Sequence, residues 1–241
     1  MKGKFVGMNL KSKYLIIILA VIIIKINFSI NVKAEEYSRF NNISIEDGLS
    51  QATVETMMQD SKGYIWLGTN DGLDRYNGYT FKKYSYEKGQ ENSLVNSYIL
   101  DIKEDSEGNI WVATAAGISK IYNDGEKVQN YTSDSESGNL SNDNTTTMLI
   151  SNSNKIYVGT AEGINLYDKK TDKFNLIYPE LKEEYVNSLA EDKYGNIWAG
   201  TENGLYKINV VTNAIERFES TDDVNTISEN YIYKVYYDGD K

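Results

Sequence analysis

The amino-acid sequence predicts an all-β fold, a β-propeller of four-stranded blades, on three observations. First, the segment GYIWLGTNDGL at residues 63–73 recurs as GNIWVATAAGI, NKIYVGTAEGI and GNIWAGTENGL, which begin at residues 108, 154 and 195. Second, the copies lie about 45 residues apart, a period typical of propeller blades or helical arrays. Third, the copies are rich in Ile, Val, Thr, Tyr and Trp and are interrupted by Gly and Asn, which favours strands and turns over helices.

The residues that precede each copy predict the first strand of a blade and the turn after it. The pattern is apolar-x-x-apolar-x-x-Asp, with Val54, Met57 and Asp60 in the first copy and Ile232, Val235 and Asp238 in a fifth. An Asp carboxylate can accept a bond from the backbone two residues on, and Gly readily adopts a positive φ. We therefore assign structural roles in hairpin turns to Asp60, Asp105, Asp192, Gly63, Gly108 and Gly195.

The second strand is apolar on both faces, which fits a sheet that lies between neighbouring sheets. Its central aromatic residues, Trp66, Trp111, Tyr157 and Trp198, are predicted to be buried wedges between blades. Gly68 lies on the same face as Trp66 and should let the next blade approach closely. The resulting blades cover approximately residues 54–85, 98–131, 145–178 and 186–218, and a fifth begins at residue 231.

The two ends of the sequence predict an incomplete ring, with about four blades plus one strand present. Residues 37–45 resemble a fourth strand without its blade, and the fifth copy stops at Lys241 before its second strand. Such a ring would leave sheet edges open, which natural proteins avoid. We therefore expect residues 35–241 to be a partial propeller, an amino-terminal fragment of a longer protein.

Residues 1–34 have the organisation of a secretory signal peptide. Four lysines and no acidic residue precede an apolar run over residues 14–24, and Ala34 ends a small-residue cleavage site. The run is shorter than the roughly 20 residues that a membrane-spanning helix needs. Cleavage and export are expected, and an uncleaved membrane anchor stays open as the alternative.

The composition excludes several classes of function. The sequence contains no His and no Cys, which removes His-dependent nucleophile arrangements, the usual zinc sites and disulfides. Its formal net charge is −10, and loss of the lysine-rich leader makes it more negative. An acidic surface disfavours nucleic acid and anionic lipid as partners. Calcium prefers six to eight oxygen ligands, whereas each Asp turn offers one or two, so we expect no metal and no cofactor.

Residues 59–78 (QDSKGYIWLGTNDGLDRYNG) and 104–118 (EDSEGNIWVATAAGI) resemble the two-component regulator propeller repeat. The lead-in DGLSQATVETMMQD at residues 47–60 is similar to the start of the first blade in such proteins. The third copy departs most, with Ser151 for the acid, Asn154 for the glycine and Tyr157 for the tryptophan.

The resemblance implies the extracytoplasmic sensor region of a bacterial transmembrane signalling protein. In that family a sandwich domain, a membrane helix and a histidine kinase or diguanylate cyclase module follow the propeller. This chain has no histidine to phosphorylate and is not itself expected to be an enzyme. The full-length receptor is also a candidate for homodimerisation.

Ligand binding is expected where the copies differ, because loops on a rigid scaffold commonly carry function. The turns between second and third strands should share one face around the mouth of the central channel. We predict that five residues of these turns contact a small-molecule or oligosaccharide ligand: Asn70, Asp71, Glu162, Glu202 and Asn203. The alternatives are a secreted or cell-surface interaction scaffold and, third, a propeller glycosidase or lyase.

Overall fold

The computed structural model describes residues 42–134 and 139–239, and these residues form four sheets of four antiparallel strands. Blade 1 contains β1 (Val54–Gln59), β2 (Ile65–Thr69), β3 (Gly72–Tyr76) and β4 (Phe81–Tyr84); blade 2 contains β5 (Ile99–Glu104), β6 (Ile110–Thr114), β7 (Gly117–Ile121) and β8 (Val128–Tyr131). Blade 3 contains β9 (Thr145–Ile150), β10 (Ile156–Thr160), β11 (Gly163–Asp168) and β12 (Lys173–Ile177); blade 4 contains β13 (Val186–Glu191), β14 (Ile197–Thr201), β15 (Gly204–Ile208) and β16 (Ile215–Phe218).

Strands follow chain order within each blade, so that each blade is a simple antiparallel meander. The first strands β1, β5, β9 and β13 contact one another in sequence and are therefore innermost. The expectation of an all-β fold with four-stranded blades is confirmed.

The predicted leader lies outside the described residues, as do residues 37–41 of the predicted orphan strand. At the other end of that predicted strand, Ile45 begins a one-turn 3₁₀ helix, Ile45–Asp47, so it is not in a strand. Ser44 caps this turn, because its side chain accepts a bond from the Glu46 amide and the Asp47 carboxylate accepts one from the Ser44 amide. Within the described part of the chain, no helix is both long and apolar enough to cross a membrane.

Side chains of the second strands alternate between two seams, as expected for strands covered on both faces. In β6, Val112 packs in the core shared with blade 1, whereas Trp111 packs in the core shared with blade 3. Trp66 enters the seam between blades 1 and 2, and Tyr157 the seam between blades 3 and 4. These three aromatic residues are at most 2% exposed.

The prediction that Trp198 is equally buried is wrong, since Trp198 is only half-buried. On this face of β14, Gly200 meets Ile232 and Val235 of the extended segment, residues 231–238, and no four-stranded sheet of the described residues covers the face. The exposure of Met57 has the same cause, because no described sheet covers the outer face of blade 1. Met57 pairs with Leu67 on the face that no described sheet covers, and it is 70% exposed.

Close approach between blades depends on a small residue in each second strand, as predicted for Gly68. A Cβ at Gly68 would lie 2.6 Å from the Ile99 side chain of blade 2. Gly159 and Gly200 meet Val186 and Ile232 in the same way. The corresponding residue of blade 2 is Ala113.

The repeated Asp closes the hairpin turn and also holds the repeated Trp. In blade 1, Asp60 Oδ1 accepts bonds from the amides of Lys62 (3.0 Å) and Tyr64 (2.9 Å), while Oδ2 accepts one from Trp66 Nε1 (2.7 Å). The equivalent bonds from Trp111 and Trp198 measure 2.8 and 3.0 Å. Sequence reasoning treated Asp as a turn residue and Trp as a wedge, and it missed the bond between them.

The third blade replaces both partners of this bond. Ser151 keeps the turn bond to the Lys155 amide (3.1 Å), and Tyr157 needs no indole acceptor. Asn154 adopts the positive φ of 59° that the missing glycine would supply. These departures therefore preserve the turn and the strand.

Candidate ligand-binding site at the channel mouth

A β-bulge interrupts each innermost strand one residue after its start, at the face of the blades that we call the channel mouth. The register of each first strand with its second strand slips by one residue, between Val54 and Thr56 in blade 1 and at matching places in the other blades. A bulge adds one unpaired residue and re-aims its side chain. The added residues are Glu55, Leu100, Thr146 and Asn187.

All four bulge residues line one open cavity of about 580 Å³. Three residues that immediately precede innermost strands surround it, Tyr98, Asn144 and Tyr185, together with Tyr231 at the start of the extended segment. Tyr233 and Lys234 of the extended segment and the turn residues Ala115 and Glu202 complete the lining. Every described blade, and the segment after blade 4, therefore contributes a different side chain to the cavity.

The cavity is polar, with tyrosine rings among its walls. Its charged lining residues are Glu55, Glu202 and Lys234. Asn187 Nδ2 donates to the Ile232 carbonyl at 3.2 Å, which leaves its side-chain oxygen without a described donor. Asn144 Nδ2 lies 3.5 Å from the Tyr185 hydroxyl. This combination suits a polar ligand that also presents an apolar face.

The turns after the second strands share one construction, which decides where the predicted site residues lie. In blade 1, Thr69 Oγ1 donates to the Gly72 carbonyl at 2.8 Å and accepts from the Asp71 amide at 3.1 Å. The same pair of bonds closes the turns after Thr114, Thr160 and Thr201. Only the first residue of such a turn reaches the cavity. This is the case in two turns, with Ala115 in blade 2 and Glu202 in blade 4.

Of the five predicted ligand contacts, Glu202 lines the cavity and the other four do not. Asn70 and Asp71 are exposed turn residues. Glu162 accepts a bond from Asn142 at 3.1 Å, and Asn203 donates to Glu184 at 3.1 Å, so both are engaged in contacts between loops.

The bulge residues were missed, although the sequence contains their signal. Strand side chains alternate with a period of two. Buried apolar residues three apart, as in Ile99 and Ile102 or Val186 and Leu189, therefore require one extra residue between them. That spacing predicts the bulges, and with them the residues that face the channel mouth.

The family model described as "Two component regulator propeller" matches residues 48–71, 93–116 and 180–203. Each matched segment starts in the loop before a first strand and ends in the turn after a second strand. These segments are two-component regulator propeller repeats. They belong to the first, second and fourth copies, whereas the third copy carries the replacements at Ser151, Asn154 and Tyr157.

Individual relatives cover parts of the chain. Histidine kinase P4 of Formosa agariphila is 42% identical over 57 residues, which are 23% of this chain and 4% of that protein. The extracellular domain of a hybrid two-component system from B. thetaiotaomicron aligns with a TM-score of 0.56 at 21% identity, covering 75% of this chain and 32% of that domain.

A catalytically inactive virginiamycin B lyase from Staphylococcus aureus, crystallised with quinupristin, aligns with a TM-score of 0.58 at 14% identity. The match covers 78% of this chain and 62% of the lyase. The chain thus spans less than two thirds of each of these proteins. At such identities the solved structures support the propeller fold alone.

Proposed function

We propose that this chain is an extracytoplasmic ligand-sensing domain of a two-component signalling protein, and that it binds a small molecule or oligosaccharide at the channel mouth. The observation that carries the proposal is the contrast between scaffold and cavity. The wedge aromatic and the closing Thr recur in all four blades and the turn Asp in three of them, whereas the bulge position holds Glu, Leu, Thr and Asn in turn. Varied side chains on a repeated scaffold are the usual arrangement of a recognition site.

The family supports the signalling part of this proposal. The repeats are those of two-component regulators, and a histidine kinase and the extracellular domain of a hybrid two-component system are among the similar proteins. An enzymatic role has less support. The virginiamycin B lyase was inactivated by changing one histidine to alanine, and this sequence contains no histidine.

The ligand-binding part can be tested on the purified chain with a panel of oligosaccharides and small polar metabolites. A bound ligand raises the melting temperature, because it stabilises the folded state by mass action. We expect a hit whose stabilisation is lost in Glu202→Ala and Tyr185→Ala. Asp71→Ala is the matched control, since Asp71 lies in an equivalent turn but outside the cavity.

Each variant should melt near the unmodified chain in the absence of ligand, because surface substitutions usually change stability by less than about 0.5 kcal/mol. A ligand that stabilises Glu202→Ala and Tyr185→Ala as well as the unmodified chain would place its site elsewhere. Lack of any hit would favour the interaction scaffold instead. Export is tested separately, by fusing residues 1–34 to a reporter enzyme that is active only outside the cytoplasm.

A further inference from the structure

A second pocket lies on the seam between blades 2 and 3, away from the channel mouth. It holds about 180 Å³ and its lining includes Lys120, Ile156 and Tyr167. Lys120 comes from β7 and is 8% exposed. Its ammonium lies 4.9 Å from the ring centroid of Trp111 and 4.8 Å from that of Tyr122. The pocket is therefore built around a buried cation with aromatic neighbours.

The Lys120 ammonium has three N–H donors. None of the described residues accepts a hydrogen bond from it or forms an ion pair with it. Cation–π contacts with Trp and Tyr offset part of the desolvation of a buried ammonium, but they leave its donors unused. Among the described residues, no fully buried side-chain nitrogen is left without a partner, so the Lys120 ammonium keeps contact with the open space of the pocket, where a ligand can reach it.

The other charged groups around the pocket are already engaged or cationic. Glu107 pairs with Lys169. Asp105 accepts bonds from the Glu107 and Asn109 amides and from Trp111 Nε1. Lys155, whose side chain has no described acceptor, also lines the pocket. Lys155 is exposed, so Lys120 is the enclosed cation of this pocket and Lys155 lies at its rim.

We propose that this pocket binds a small organic carboxylate, held by the Lys120 ammonium with Lys155 at the rim. A carboxylate would accept the unused donors, and charge-assisted bonds of this kind are among the strong ones. The carboxylates of Asp105 and Glu107 disfavour a dianion such as sulfate in the same space. Ile156 and the Tyr167 ring offer an apolar wall for a short tail.

The equivalent positions of the other blades set this pocket apart. Arg75 and Lys207 lie over Trp66 and Trp198 at 5.7 and 5.5 Å, but both are half-buried and reach solvent. In blade 3 the equivalent residue is Leu166. A cation over the wedge Trp is thus a repeated feature, whereas its enclosure in a pocket with a second lysine is a property of the seam between blades 2 and 3.

The test titrates the purified chain with sodium propionate at constant ionic strength, maintained with sodium chloride, and measures affinity by ligand-observed NMR. Lys120→Met keeps the length of the side chain and its packing on the rings but removes the donors. We expect propionate affinity to fall about tenfold or more, which corresponds to about 1.4 kcal/mol. Lys207→Met, which removes the equivalent cation of blade 4, is the matched control and should bind propionate as the unmodified chain does.

A second measurement keeps the test informative if Lys120→Met fails to fold. In the unmodified chain, propionate should shift the methyl signals of Ile156 and leave those of Ile197, the equivalent residue of blade 4, unchanged. No propionate binding, equal binding by Lys120→Met, or equally tight binding of sulfate would each overturn the proposal. Because the pocket shares no residue with the channel mouth, these outcomes are independent of the ligand tests proposed for that site.

Discussion

The wedge aromatic residues show how one position can contribute different amounts to stability. Trp111 is fully buried, stacks on Tyr131 of its own blade and packs against Tyr167 and Phe174 across the seam. Trp198 makes the equivalent stack in blade 4, on Phe218, but is only half-buried. The difference arises from what lies on the far side of each blade, and not from the residue type.

Trp111→Ala should lower the free energy of unfolding by about 3 to 5 kcal/mol, the usual range for a buried large aromatic residue. Trp198→Ala should cost less, because part of its surface is already in contact with solvent. Chemical denaturation midpoints of the two variants check this. An unchanged midpoint for Trp111→Ala would mean that Trp111 is not part of the core.

The turn aspartate of blade 4, Asp192, links the stability of the fold to pH. Burial acts to raise the pKa of Asp192, but hydrogen bonds from Asn196, Trp198 and the Tyr194 amide outweigh it and hold that pKa below the ordinary value. A carboxyl group whose pKa is lower in the folded state stabilises the fold above its unfolded pKa, about 3.9 for Asp. This stabilisation is lost as pH falls through the lower, folded value.

We therefore expect the stability of the unmodified chain to fall on acidification from about pH 5 to pH 3. Asp192→Asn should be less stable near neutral pH and should lose less stability over that interval. Asp71→Asn, at an exposed turn, serves as the control. Urea midpoints measured between pH 5 and pH 3 test this prediction. If the midpoints of Asp192→Asn and of the unmodified chain fall in parallel with pH, Asp192 is not the source of the pH dependence.

At the scale of the strand, the seams combine a small residue with a branched one. Gly68, Gly159 and Gly200 face Ile99, Val186 and Ile232, whereas Ala113 lies at the position that faces blade 3 from blade 2. Hydrogen bonds also cross the seams at the hairpin turns. Glu104 accepts bonds from the Ser61 amide (2.7 Å) and hydroxyl (2.6 Å), and Glu191 accepts one from the Asn152 amide (2.7 Å).

Gly159→Ala should destabilise the protein by about 1 to 3 kcal/mol, the usual cost of overpacking a core. The new Cβ would lie 2.8 Å from both the Thr147 and the Val186 side chains, and neither can move without shifting its strand. The reverse change, Ala113→Gly, should cost only about 0.5 to 1 kcal/mol, since it opens space and adds backbone freedom. If thermal unfolding ranks the two variants in the opposite order, the seam is less closely packed than described.

At the scale of the whole molecule, the segment over residues 231–238 marks where the repeated packing changes. It follows the path of a first strand, because the Ile232 amide donates to the Thr201 carbonyl (2.8 Å) and the Val235 amide to Ser188 Oγ (3.1 Å). No described strand pairs with its other edge. Tyr233 and Tyr236 are 77% and 83% exposed.

An unpaired edge rich in tyrosine and β-branched residues favours association with other chains. A protein that comprises residues 35–241 should therefore dimerise or aggregate as its concentration rises, despite its negative charge. Tyr236→Lys should reduce this association, since charge on an edge strand opposes pairing. Tyr79→Lys changes an equally exposed tyrosine on a turn and should not. Light scattering at matched salt distinguishes the two, and a monodisperse unmodified chain would contradict the prediction.

The sequence by itself determined the blades. The repeat period, the residues of the turns and the alternation of side chains along each strand can be read from neighbouring residues. Each copy therefore specifies its own strands and turns. The role of Gly68 at the seam could also be predicted, since its spacing from Trp66 puts both on one face of β2. The resemblance to the repeat family was confirmed by segments that share this local pattern.

Only the tertiary structure decided which side chains meet. The five ligand contacts were predicted from variation between turns, but the direction of each turn residue depends on the Thr that closes the turn and on loops of the next blade. Glu202 therefore faces the cavity, whereas Glu162 and Asn203 bind neighbouring loops. The burial of Lys120 likewise depends on rings from two different blades, Trp111 of blade 2 and Tyr167 of blade 3. Contacts between blades come from different copies, so no single copy specifies them.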